Sequence, residues 1–124
     1  MNILYLDSAK SRRIEKALGH HGRVFHACSI NEALLLMVER DFDYYFVDAD
    51  LREAGAFLKH IDHDPQLKPP TGVILLTANS EEDCEAWGVD TFVARSRVCE
   101  DVPYIFSHLK GKEFEKAPVV CIAG

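Results

Sequence analysis

Asp43-Tyr44-Tyr45-Phe46-Val47-Asp48-Ala49-Asp50-Leu51 is the stretch whose reading decides the fold. Four consecutive apolar or aromatic residues run into a carboxylate, and a second carboxylate follows two positions on. A run this short and this rich in β-formers reads as a strand buried on both faces of a parallel sheet. Asp48 then stands at the carboxyl edge of that strand, where open α/β sheets bind ligands and do chemistry. An acid beside a core strand needs a cation, donors or a proton to offset its desolvation. A lone Asp there would read as a cap or loop acid, but Asn2-Ile3-Leu4-Tyr5-Leu6-Asp7 ends in the same way.

Outward from this strand the chain alternates. Upstream, Ser8 is placed to cap a helix over about 10–19, with Ile14, Ala17 and Leu18 as its apolar stripe. Gly19 and Gly22 read as stops around His20 and His21. Residues 23–28 form a second, more mixed strand suited to a sheet edge. Ser29-Ile30-Asn31-Glu32 is a capping box that opens a helix with Ile30, Ala33, Leu34, Met37 and Val38 on its buried face, ending near Arg40. Downstream, a helix over about 52–62 turns Ala54, Phe57, Leu58 and Ile61 inward and stops at Asp64-Pro65. Gly72-Val73-Ile74-Leu75-Leu76-Thr77 is another wholly apolar strand. Ser80 starts a short helix that Gly88 ends, and Thr91-Phe92-Val93-Ala94 is a fifth strand closed by Arg95-Ser96-Arg97. Asp101 with Pro103 opens a last helix, with Val102, Ile105, Phe106 and Leu109 packed inward. Five β-α repeats at this spacing predict a flavodoxin-like, doubly wound five-stranded parallel sheet between two helical layers.

Residues 1–110 read as that domain and 111–124 as a linker and the start of a following domain. The final apolar run, Pro118-Val119-Val120-Cys121-Ile122-Ala123-Gly124, resembles the glycine-ended first strand of nucleotide-binding domains, or else a tail folded on the surface.

The 124 residues suffice for one domain with a real core, and 48% apolar residues exclude a disordered chain. A net charge of -6 argues against nonspecific binding to nucleic acid or anionic membranes. Nothing reads as a signal peptide or a membrane span. Cys28, Cys84, Cys99 and Cys121 form no Cys-x-x-Cys pair, which suits free thiols in a cytoplasmic protein.

In strand order 2-1-3-4-5 the first and third strands flank the topological switch point. Asp7 and Asp48 then face each other across a crevice, with Thr77 and Arg95 along the same rim. Two carboxylates with carbonyls and water suit Mg²⁺, and a hydroxyl and a cation beside them suit phosphoryl oxygens. These parts fit phosphoryl transfer to a carboxylate.

Over residues 2 to about 110 the chain resembles the receiver domain of two-component response regulators. The residues that carry the resemblance are Ile3-Leu4-Tyr5-Leu6-Asp7, Asp43 to Asp48, Val73-Ile74-Leu75-Leu76-Thr77-Ala78 and Gly88 to Arg95. It implies that Asp48 accepts a phosphoryl group from a histidine kinase or phosphotransfer protein. It further implies that Thr77 and Arg95 bind that group, that Asp7, Asp48 and the Asp50 carbonyl hold Mg²⁺, and that an output domain or protein partner reads the state. The departures are specific. Ser8 stands where the family has a second acid, which removes a carboxylate ligand and weakens Mg²⁺ binding unless the Asp50 side chain substitutes. Arg95 replaces a lysine, keeping the charge in a planar fork. Ser96 replaces a proline, Phe92 lacks the more usual tyrosine hydroxyl, and the span from Thr77 to Arg95 is short by about one helical turn.

The expected role is a receiver switched by phosphorylation of Asp48; the alternative, favoured by Ser8, Arg95 and the short fourth helix, is a pseudo-receiver that binds a partner without phosphorylation. Asp48-Ala49-Asp50 also matches the Asp-x-Asp of haloacid-dehalogenase-type phosphatases, with Asp50 as general acid. That motif sits at the third strand rather than the first, and no later acidic cluster follows, so a non-enzymatic role is expected. His60 and His63, one turn apart, find no third ligand, and Lys10, Arg12 and Arg13 read as a solvated face or a kinase-docking surface. Met37 and Trp87 read as packing residues.

Overall fold

The computed structural model describes residues 1–78 and 84–108, with the side chains of residues 84 and 85 excepted. Their elements alternate as expected: β1 (Asn2–Leu6), α1 (Arg12–Gly19), β2 (Arg23–Ala27), α2 (Ile30–Glu39), β3 (Tyr44–Asp48), α3 (Ala54–His63), β4 (Gly72–Thr77), α4 (Cys84–Trp87), β5 (Thr91–Ala94) and α5 (Val98–His108). The five strands pair in parallel in the order β2-β1-β3-β4-β5. β3 and β4 are buried at every position, while β2 at the edge is not.

Period-two alternation divides the core between the two faces. Ile3, Tyr5, Tyr44, Phe46, Ile74, Leu76 and Val93 pack with Ile14 and Leu18 of α1 and with Val102, Ile105 and Phe106 of α5. Leu4, Leu6, Tyr45, Val47, Val73 and Leu75 pack with Ala33 of α2 and with Phe57, Leu58 and Ile61 of α3. Met37 and Trp87 pack against this second cluster, as expected of packing residues. α4 is a single turn stopped by Gly88, whose φ of 73° is the left-handed conformation that favours glycine.

Four sequence expectations need correction. The cap of α1 is Ser11, whose hydroxyl accepts from the Ile14 amide, and not Ser8. The Asp7 carboxylate takes the Ala9 amide in a turn, so the chain needs residues 8–10 to leave the sheet. α3 starts at Ala54 rather than near 52, because turns from Asp48 to Leu51 and from Leu51 to Ala54 use the residues between, and Glu53 adopts a φ of 65°. α5 begins at Val98, not Asp101, since a 3₁₀ turn over Arg95–Arg97 runs straight into it and Val98 is buried. Pro103 therefore lies inside the helix and offers no donor to the carbonyl four residues back. Leu109, the Ser80 cap and the 111–124 segment lie outside the described residues.

The fourth correction is Val38, which is 84% exposed, with Leu35 at 66%. The buried stripe of α2 centres on Ala33, and at 3.6 residues per turn Val38 lies about 140° round from it. Val38→Ser should accordingly change stability by no more than about 0.5 kcal/mol in urea unfolding. A loss of ~1 kcal/mol or more would mean that this face is covered. Among the described residues no helix is long and apolar enough to cross a membrane.

Candidate functional site

Alternation also decides which polar side chains meet. Asp7 lies two residues beyond Tyr5 and Asp48 two beyond Phe46, so both share the α1/α5 face, while Arg95 opens the 3₁₀ turn that follows β5. Arg95, from the end of β5, reaches past β4 to both acids. Its Nη2 donates to Asp7 Oδ2 at 2.7 Å, and its Nη1 lies 3.4 Å from Asp48 Oδ1. The second contact is an ion pair without hydrogen-bond geometry, and Nη1 has no hydrogen-bond acceptor among the described residues. Asp7 is 2% exposed and Asp48 6%, so the guanidinium is their shield from water as well as their counter-ion.

Each acid has further donors. Asp7 Oδ2 also accepts from the Tyr5 hydroxyl at 2.6 Å, and Oδ1 accepts from the Ala9 amide at 3.2 Å. The Tyr5 oxygen in turn accepts from the Ser11 amide at 3.1 Å, which ties the site to the start of α1. His26 Nε2 donates to the Asp7 carbonyl at 2.9 Å, with its ring 5.2 Å from that of Tyr5. Asp48 Oδ1 accepts from the Asp50 amide at 3.1 Å. Arg13 Nη2 donates to the Arg95 carbonyl, so Arg13 is a strut between α1 and the end of β5 rather than part of a purely solvated face.

The two acids are pushed apart electrostatically. Burial pushes Asp7 upward, but the Tyr5 hydroxyl, the Arg95 guanidinium and the Ala9 amide outweigh it and hold the carboxyl below its usual range. For Asp48 burial wins: aided by the nearby Asp7 charge, it lifts the carboxyl above its usual range despite the Asp50 amide and Arg95. Burial also raises Tyr5 strongly, reinforced by its bond to Asp7, which keeps the phenol a donor. Burial works against the Arg95 charge, but Asp7 and Asp48 more than compensate and secure it.

The structure thus brings together Asp7, Asp48 and Arg95. Thr77 is buried at the end of β4, in register with Ala94. Asp50 meets Asp48 through its amide while the residue is exposed, and Ser8 is exposed in the bend after β1. Sequence reading missed Tyr5, His26 and Arg13 as parts of the site. For Tyr5 a signal existed, a phenol two residues before Asp7 among the aliphatic Ile3, Leu4 and Leu6.

Among the described residues no three or more His, Cys, Asp or Glu side chains gather where a metal ion could be held. Both carboxylates already face the Arg95 guanidinium, so the residues in this arrangement do not fit a resident Mg²⁺, which asks for near-octahedral oxygen ligands.

No protein-family model matches the chain, and no curated protein matches it. Solved structures do. A CheY-like response-regulator receiver domain from Methylobacillus flagellatus superposes with a TM-score of 0.72 at 15% identity, covering 89% of this chain and 98% of that one. The chemotaxis protein CheY4 of Vibrio cholerae gives 0.73 at 19% identity, over 88% and 98%. The response regulator TrrA of Thermotoga maritima, solved in complex with Mg²⁺-BeF, gives 0.67 at 21%, over 86% and 96%. With the same strand order and coverage of most of the chain, this protein has the fold of the CheY-like response-regulator receiver domain.

Proposed function

We propose that the domain is a receiver-type signalling module that acts on a protein partner or output domain without needing phosphorylation. The observation that carries this is the Arg95 fork, bonded to Asp7 and ion-paired with Asp48. An acceptor carboxylate attacks the incoming phosphorus through an ionised, accessible oxygen. Asp48 is buried, and its Oδ1 takes the Asp50 amide and faces the Arg95 guanidinium. On this reading the module is no enzyme, works in the cytoplasm and binds no nucleic acid by itself, in keeping with its charge of -6.

A second reading keeps Asp48 as a phospho-acceptor served by a histidine kinase or phosphotransfer protein. Its support is position: Asp48 at the carboxyl end of β3, Thr77 at the end of β4 and Arg95 just past β5. Intact mass after incubation with acetyl phosphate and Mg²⁺, beside Asp48→Asn, separates the two. The first reading expects no phosphate-sized gain in either protein. A gain in the wild type that Asp48→Asn abolishes would establish the second.

A further inference from the structure

We infer that Arg95 is an internal counter-ion that occupies the place of a divalent metal, so that the carboxylate notch is closed and its charge partly offset without one. This deepens the partner-controlled reading of the same site and rests on it for its biological meaning. The argument is one of coordination and charge. A divalent ion seated between Asp7 and Asp48 would need their oxygens as ligands. Asp7 Oδ2 already takes two donors, at 2.6 and 2.7 Å, and Asp7 Oδ1 takes the Ala9 amide. Asp48 Oδ1 takes the Asp50 amide and faces Arg95 Nη1, so that of the four carboxylate oxygens only Asp48 Oδ2 carries none of these contacts. An entering ion would displace these donors and stand beside a guanidinium that stays protonated.

The surroundings of the guanidinium are held in place. Its own backbone carbonyl is held by Arg13 from α1, and Tyr5, anchored to the Ser11 amide, fixes the oxygen that Nη2 bonds. With both acids ionised, the one fixed positive charge offsets one of them and leaves the group at −1. A metal added to the full set would overshoot. Without the guanidinium, two buried carboxylates would stand uncompensated, and a divalent ion would then relieve them.

The test is thermal unfolding of the domain with and without about 10 mM MgCl₂, at ionic strength matched with NaCl. The wild type should keep its Tm to within about 1 °C, whereas Arg95→Met should melt lower and recover by about 5 °C or more when Mg²⁺ is added. A wild type that gains as much as Arg95→Met, or an Arg95→Met that ignores Mg²⁺, would overturn the inference. If Arg95→Met does not fold, calorimetric titration of the wild type with MgCl₂ decides: no binding heat supports the inference, and a site tighter than about 1 mM overturns it. Failure here and failure of the partner-controlled reading are separable. A wild type labelled by acetyl phosphate yet indifferent to Mg²⁺ sinks that reading alone, while Mg²⁺ binding without labelling sinks only the counter-ion.

Discussion

Asp7→Asn is expected to cost about 3 kcal/mol of stability at neutral pH, because it removes one partner of a buried ion pair and leaves the other behind. The amide keeps the size of the side chain but not the charge that three donors converge on: the Tyr5 hydroxyl, the Arg95 guanidinium and the Ala9 amide. Arg95 would keep only its 3.4 Å contact with Asp48. The Arg95 side chain is 28% exposed, so water screens part of the loss and places the expectation at the low end for such pairs. Urea unfolding measures it. A cost under about 1 kcal/mol would mean that solvent already satisfies the guanidinium.

The same variant should change the acid limb of the stability curve. Asp7 is held below its usual range in the folded state, so its contribution is fully present above the unfolded value of about 3.9 and is lost as pH falls through the native one. Asp48 is raised and runs the other way: its contribution is present at low pH and is lost as pH rises through the native value. Removing Asp7 should therefore flatten the loss of stability below about pH 4. An acid limb as steep in Asp7→Asn as in the wild type would assign that limb to other carboxylates.

Phe46→Ala should cost about 4 kcal/mol, the largest effect expected of any single truncation discussed. Phe46 is fully buried at the centre of β3, with ring centroids 5.8 Å from Phe106 and 6.4 Å from Tyr44. Its neighbours are held by the sheet on one side and by α5 on the other, so the cavity has little means of collapsing. Denaturant unfolding that gives ~1.5 kcal/mol or less would show a core able to close over the gap.

The contrast between Phe46 and Val38 marks how far composition and pattern reach. Both are apolar, yet one is fully buried and the other 84% exposed. For strands, a continuous apolar run between turn residues was enough, because a two-sided parallel strand needs apolar residues at every position. β1, β3 and β4 were legible for that reason, β2 as a mixed edge strand and β5 as a short one, and the doubly wound alternation carried the order 2-1-3-4-5 with it. Helix starts were less legible. Ser8 and Ser11 are equally good caps in isolation, and the choice fell to the turn that the Asp7 carboxylate makes with Ala9.

The site divides along the same line. By itself the sequence determined that Asp7, Asp48, Thr77 and Arg95 stand at the ends of their strands, since each follows an apolar run whose length sets where the strand stops. Only the tertiary structure decided that Arg95 bonds an acid 88 residues away while pairing with a second, that Tyr5 turns its hydroxyl onto Asp7, and that Arg13 holds the Arg95 backbone. Periodicity is a property of neighbours along the chain and encodes faces and ends. Which charges meet depends on strand order and on the reach of one side chain across it, and neither leaves a mark on local sequence.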